Sequence, residues 1–201
     1  MVLDYDEIWK DLRNEVELLH SYWQMREALF GFSEERDKLL RDSAEGLFYL
    51  LDVFLWRELC LGLCRLTETG RNKLTLQQLL KHPKVTSDRN LLTLVKQKIN
   101  AAKGACDPFR EHRHKVLAHL DLKTNLTGVE STFPPDPRKK IDNALHAVAD
   151  ALNAIGLSVY GMTFEGVRFP SGYVESLVRC LEEAQRWRNW QATMRSTSNL
   201  A

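Results

Sequence analysis

The chain has 201 residues, of which 44% are apolar and 27% are charged, and its formal net charge is +1. A chain of this length and composition can bury a hydrophobic core without a disulfide or a metal, so disordered and fibrous classes are excluded. With only 10 glycines and 6 prolines, a sandwich of many short strands is excluded as well, because that fold needs frequent turns.

The acidic start is unlike a secretory signal, and no apolar stretch is long enough to cross a bilayer. The four cysteines show no paired spacing, so we expect a reduced, cytoplasmic protein with no membrane contact.

The small net charge hides an uneven distribution of charged residues. Residues 1–70 hold 15 acidic and 8 basic side chains, whereas residues 71–103 hold eight basic side chains and one acidic side chain, Asp88. A local basic block can attract a polyanion although the whole chain is nearly neutral. The alternative is a solvated face that pairs with the acidic first third of the same chain. The sequence leaves both interpretations open.

The first third of the chain predicts helices. Apolar residues at three- and four-residue steps predict an amphipathic helix over residues 4–31, and Ser33 begins another helix. From Ala44 to Leu66 the side chains are apolar nearly all round. A helix of that kind is buried against several neighbours, so we expect a long buried helix at the centre of a bundle.

Shorter elements follow the central helix. Thr75 can cap a short helix that ends before Pro83, and Ser87 or Asp88 can cap the next one. Proline is tolerated in the first turn of a helix, so the pair Asp107–Pro108 predicts a further helix start.

The last third contains a loop, two helices and an ambiguous segment. Residues 121–137 are predicted as a long loop, residues 138–155 as a helix, and residues 171–194 as a final helix capped by Ser171. The pattern over residues 156–172 is ambiguous, and a short hairpin near 159–169 is one possibility. The prediction is a single all-α domain over residues 1–194 with a frayed tail at 195–201.

Three of the six histidines fall in one short segment, over residues 109–121. Within it, Arg113 and His119 are separated by five residues and form part of a longer pattern, Arg-x-Lys-x-x-Ala-His-x-Asp. The members of that pattern are Arg113, Lys115, Ala118, His119 and Asp121. It follows a long apolar helix ending at residues 63–66 and a leucine-rich short helix at residues 74–80.

This order of features resembles the AbiU-type branch of the HEPN superfamily, most clearly over residues 40–160. The resemblance implies an all-α HEPN-like bundle, usually a dimer, associated with abortive infection and phage resistance. Many HEPN proteins are metal-independent endoribonucleases whose Arg and His line a cleft between two protomers. On that pattern Arg113 and His119 are the expected catalytic residues, with His114 and Asp121 as supporting residues. Some HEPN toxins have a tyrosine at the place of Asp121, so their modification at that tyrosine is not expected here.

The implied chemistry is physically sensible. RNA carries its own nucleophile, the 2′-hydroxyl beside each phosphate, and an imidazole can accept its proton near neutral pH. A guanidinium can hold the phosphate oxygens as charge builds, so no metal or other cofactor is expected. Candidate RNA-binding lysines are Lys96, Lys98, Lys103 and Lys115. Six residues along a helix turn by about 600°, which puts Arg113 and His119 on different stripes, and a two-fold axis would bring both residues of each chain into one cleft.

Two other classes of function stay open. One is a catalytically inactive HEPN-like module that binds RNA, a nucleotide or a protein partner, and the other is a dimerising scaffold. The expected partners are RNA and a second copy of the chain, and an antitoxin or regulatory protein is a further candidate. His112 and His114 are expected to be solvated, while Trp187 and Trp190 are expected to serve packing or a dimer surface.

Overall fold

The computed structural model describes residues 4–31, 33–70, 73–114, 136–164 and 171–198. These residues are mostly helical and no strand occurs among them, which confirms the all-α prediction. The helices are α1 (Tyr5–Phe30), α2 (Glu34–Thr67), α3 (Pro83–Ser87), α4 (Arg89–His112), α5 (Pro137–Ile155) and α6 (Ser171–Ser198). A 3₁₀ helix covers Leu76–Lys81, and a π-helical turn covers Gly156–Tyr160.

The chain divides into two compact units, residues 1–20 with 57–167 and residues 21–56 with 168–201. The single domain over residues 1–194 stays a prediction. Helix α6 continues to Ser198, beyond the predicted helix end near residue 194.

In the first unit, α4 packs along α5. The buried residues of α5 follow helical spacing and include Ile141, Leu145, Val148 and Leu152. The π-helical turn after α5 is tied down by Tyr160, whose hydroxyl donates to Asp6 Oδ1 over 2.6 Å. The described part of the predicted hairpin near 159–169 is therefore a helical turn and an irregular segment, and residues 165–169 lie outside the described residues.

The start of α4 is capped as the sequence predicts, but α4 continues through Pro108, where the sequence predicted the start of a new helix. The Asp88 side chain accepts hydrogen bonds from the backbone N–H groups of Asn90 and Leu91. Pro108 lies inside α4 and does not begin a new helix. A proline there removes one hydrogen bond at a cost of about 3 kcal/mol. The buried face of α4 runs unbroken across it from Ile99 to Phe109, and that burial outweighs the lost bond.

The second unit has its own small core. Val174 and Val178 of α6 are buried with Leu39 of α2 and with Ala28 and Leu29 of α1. Beside this core, the Arg36 guanidinium forms an ion pair with Glu175, at 3.2 Å. The Trp187 and Trp190 side chains are 56% and 50% exposed, so they do not contribute to this core.

Helix α2 joins the helix predicted to begin at Ser33 to the apolar segment predicted over residues 44–66, and its surroundings change along its length. It is kinked at Ala44. Leu55, Leu59 and Leu63 are at most 1% exposed, as expected of a buried central helix. The preceding turns expose a set of large apolar side chains, Leu47, Tyr49, Leu50, Val53 and Phe54. The prediction of burial all round is therefore wrong for this part of α2, because these side chains are exposed.

Candidate active site

The end of α4 brings Arg113 to the end of α2. Arg113 is the C-cap of α4 and keeps helical backbone angles, φ −54° and ψ −48°. Its Nη1 donates to Oε1 of Glu68, the residue that directly follows α2. The side chains of Arg113 and Glu68 are 27% and 20% exposed, so the ion pair is partly buried.

Glu68 also forms an ion pair with a second basic side chain, that of Lys73. Its Oε2 accepts from Nζ of Lys73 over 2.6 Å. The pKa of the Glu68 carboxyl is lowered by the hydrogen bond from Lys73 and next by the one from Arg113. Glu68 is therefore ionised near neutral pH, and its carboxylate accepts hydrogen bonds from two cationic side chains.

A neighbouring arginine, Arg110, connects the C-terminal ends of α2 and α4. Nη2 of Arg110 donates to the Thr67 hydroxyl over 2.9 Å, and its Nε forms an ion pair with Asp107 at 3.0 Å. The Thr67 hydroxyl in turn donates to the Leu63 carbonyl over 2.8 Å. These contacts join the last turn of α2 to the last turn of α4, and Arg113 directly follows that turn of α4.

An open cleft lies beside Glu68 and Lys73. It has a volume of about 540 Å³. The residues that line it are Glu15, Arg65, Leu66, Glu68, Lys73 and Leu74. Arg65 is held at 3.1 Å by Glu15, so the cationic and anionic side chains of the cleft are paired with each other. An entering anion must compete with a carboxylate for each cation.

Two thiols behind the site are chemically inert. Cys64 and Cys106 are both buried. Burial raises the pKa of the Cys106 thiol to about 12 and also raises the pKa of Cys64. Neither thiol supplies a thiolate at neutral pH, so thiol nucleophilic catalysis is excluded for these two residues.

The histidines of the segment separate into different environments. His112 is 1% exposed, and burial lowers its pKa, so the expectation that it is solvated is wrong. It lies on the buried face of α4, six residues after Cys106, and packs with that face. His114 is exposed. His119, Lys115 and Asp121 lie outside the described residues.

The predicted RNA-binding lysines of α4 do not form one group. Lys98 forms an ion pair with Asp150 of α5 at 2.7 Å. Lys96 is exposed and Lys103 is half-buried, and seven-residue steps place both on one stripe of α4 with Arg110. This stripe runs along α4 toward Arg113.

Sequence reasoning missed Glu68, the partner of Arg113. A signal for it exists, since a carboxylate near the C-terminus of a helix is unfavourable next to the negative end of the helix dipole. An acidic residue directly after α2 thus indicates a compensating cation from elsewhere in the chain. Within the described ranges, no three His, Cys, Asp or Glu side chains come together in a way that could hold a metal ion.

Comparison with known proteins identifies one family. The family model HEPN_AbiU2, described as AbiU2, matches residues 3–178. The searches of curated proteins and of solved structures found no match. In the part of the chain that the structure describes, no helix combines the length and apolar character needed to cross a membrane.

Proposed function

Because the chain belongs to the AbiU2 family of HEPN-type abortive-infection domains, we propose that it is a metal-independent endoribonuclease. It acts as a toxin in phage defence and cleaves RNA in the cytoplasm. The observation that carries the proposal is the placement of Arg113 at the end of α4, where its guanidinium donates to Glu68, a residue that lines an open cleft.

In the proposed reaction, the RNA 2′-oxygen attacks the adjacent phosphorus. His119 accepts the 2′-hydroxyl proton or delivers a proton to the leaving oxygen. The bond from phosphorus to the 5′-oxygen breaks, and that oxygen leaves as a hydroxyl. The products are a 2′,3′-cyclic phosphate and a 5′-hydroxyl end.

Arg113 holds the phosphate oxygens during this reaction. A guanidinium has five N–H donors, and Glu68 accepts from Nη1, so a carboxylate and a phosphate can share one Arg113. The anionic partner also fixes the orientation of the guanidinium before RNA arrives, which reduces the entropy lost on binding. His114 and Asp121 are the proposed supporting residues, and two protomers supply the complete cleft.

RNA approaches along α4 in this proposal. Lys96 and Lys103 share a stripe with Arg110 that leads toward Arg113, and cations spaced about 10 Å apart along a helix can follow a phosphate backbone. Lys98 contributes less, because Asp150 already neutralises it. Lys115 is a further candidate contact.

The direct test uses total RNA in excess EDTA. We expect the wild-type protein to cleave RNA, and we expect Arg113→Ala and His119→Ala to reduce the rate by about 10²- to 10⁴-fold. Analysis of the fragment ends should reveal a 2′,3′-cyclic phosphate and a 5′-hydroxyl. Arg89→Ala, at the other end of α4, and His146→Ala, on an exposed position of α5, are matched controls that should cleave normally.

Three results would contradict the proposal. They are cleavage that survives both substitutions, cleavage that requires a divalent cation, and an intact wild-type protein that binds RNA without cutting it. The last result, with binding that weakens as salt rises, would favour an inactive binding module. Expression in a bacterium gives a second readout, since growth arrest should be relieved by His119→Ala.

A further inference from the structure

The outward face of α6 exposes a regular apolar stripe. Positions 173, 177, 180, 184, 187, 191 and 194 alternate in steps of four and three residues, which is the a/d pattern of a coiled coil. Tyr173 is 73% exposed and Leu177 is 41% exposed. Cys180 and Ala184 are exposed as well. A different face of α6, which holds Val174 and Val178 with Leu181 packed beside them, fills the core of the second unit. The stripe lies about 130° around the helix from these two valines, so it is a second apolar face of α6.

Two tryptophans extend the stripe. The rings of Trp187 and Trp190 stack at 4.8 Å between centroids and line a shallow cleft of about 440 Å³ with Glu183 and Arg186. Large aromatic side chains on a monomer surface are typical of interaction sites. Trp187 and Trp190 lie beyond the residues that the family model matches, which end at 178.

The charges beside the stripe are self-complementary. With Leu177 and Ala184 at a, and Cys180 and Trp187 at d, Glu183 occupies a g position and Arg188 the following e position. In a parallel pair of helices each g residue meets the e residue five positions later on the partner. Within its own chain, Nη1 of Arg188 donates to the Asp42 carbonyl over 3.5 Å, and a guanidinium has further N–H donors for a carboxylate. Two identical helices would therefore form the Glu183–Arg188 ion pair twice.

The next g and e positions agree with the same arrangement. They hold Trp190 and Arg195, and a guanidinium over an indole ring is attractive. Both are exposed. Gln191 occupies an a position, where a polar side chain fixes register at some cost in stability. We propose that α6 pairs in parallel with α6 of a second copy of this chain, over residues 177–195. The proposal stands apart from the ribonuclease activity.

Cys180 provides a sharp test of this geometry. It occupies a d position, where the same residue of a parallel partner lies directly opposite, within the Cα separation that a disulfide spans. It is also the exposed member of the four cysteines, since Cys60, Cys64 and Cys106 are buried. Diamide removes two electrons and two protons from a pair of thiols to form a disulfide. We expect it to convert the full-length protein to a covalent dimer on a non-reducing gel, and Cys180→Ser to prevent this.

Charge exchange tests the orientation without touching the apolar stripe. Glu183→Arg alone and Arg188→Glu alone each create two repulsive pairs, so we expect each to raise the dimer dissociation constant about tenfold in sedimentation equilibrium. The double variant should restore wild-type affinity. Mixing the two single variants should give a heterodimer, because their charges are then complementary.

The outcomes are distinct. A monomer at every concentration overturns the proposal. So does a dimer that ignores both charge exchanges and forms no Cys180 disulfide, which would place the contact on another apolar face, such as that of α2. A far-ultraviolet circular dichroism spectrum controls for folding, and ribonuclease activity is not needed for any of these readouts.

Discussion

The two parts of α2 after the kink have similar composition and opposite surroundings. Leu50 is 64% exposed, whereas Leu59 and Leu63 are fully buried. Both parts are apolar nearly all round, so hydropathy alone assigns them to the same core. The difference teaches that an apolar pattern predicts a helix with apolar faces, but it does not show which of those faces the chain itself buries.

The largest expected effect comes from truncating the same residue type in the two parts. Leu59→Ala removes a fully buried side chain and should lower the free energy of unfolding by about 2–5 kcal/mol, because it leaves a cavity. Leu50→Ala is the matched control and should change the stability of the monomer by less than about 0.5 kcal/mol. Urea denaturation of both variants at low protein concentration measures the difference. Equal losses would contradict the contrast between the two parts of α2.

Alanine substitutions at two glycines of α2 should change the stability by intermediate amounts and in opposite directions. A methyl group at Gly62 would overlap the side chain of Leu19, which is 1% exposed and cannot move into solvent. Gly62→Ala should therefore destabilise the protein by about 1–3 kcal/mol through overpacking. At Gly46 a methyl group meets nothing within 4 Å, so Gly46→Ala should stabilise it by about 0.5–1 kcal/mol through helix propensity. Thermal unfolding of the two variants checks the sign, and a rise in melting temperature for Gly62→Ala would refute the packing argument.

The smallest expected effect concerns the carboxylate at the end of the buried part. The pKa of Glu68 is lowered from its ordinary value of 4.5, mainly by Lys73 and then by Arg113. Its stabilising contribution is therefore present above pH 4.5 and is lost as the pH falls through the lowered pKa. Glu68→Gln should reduce the free energy of unfolding by about 0.5–1 kcal/mol at pH 7.

The pH dependence separates this ion pair from a general effect of charge. The difference between wild type and Glu68→Gln should be constant from pH 5 to 7 and should shrink toward zero as the pH falls below about 4. Glu45→Gln, at an exposed position of α2, is the control and should leave stability nearly unchanged. A difference that grows in acid would contradict the assigned ion pair.

Much of the fold could be predicted because it depends on local rules. Asp88 caps α4, and the three- and four-residue steps of apolar residues define α1 and α5. Pro108 was predicted wrongly, because a local rule for helix starts was overridden by a buried face that continues past it. The burial of His112 was missed for a similar reason, since only its position on the apolar face of α4 distinguishes it from His114.

The candidate site combines a local sequence motif with contacts between distant segments. The sequence indicated Arg113 and His119 through their spacing, which is a local property, and the resemblance to HEPN proteins gave that spacing its meaning. The sequence could not indicate that Glu68 holds Arg113, because the two residues are 45 positions apart and meet only when α2 and α4 pack.

The sequence by itself determined the helical class, the main helix boundaries and the family, because hydrophobic periodicity, capping residues and short motifs are local. The tertiary structure decided which apolar faces are covered and which are exposed, as the two parts of α2 and the outer face of α6 illustrate. It also decided which charges meet, as at Glu68, Lys73 and Arg113. The physical reason is that burial and ion pairing depend on distances between segments remote in the chain, and those distances are set only when the helices pack together.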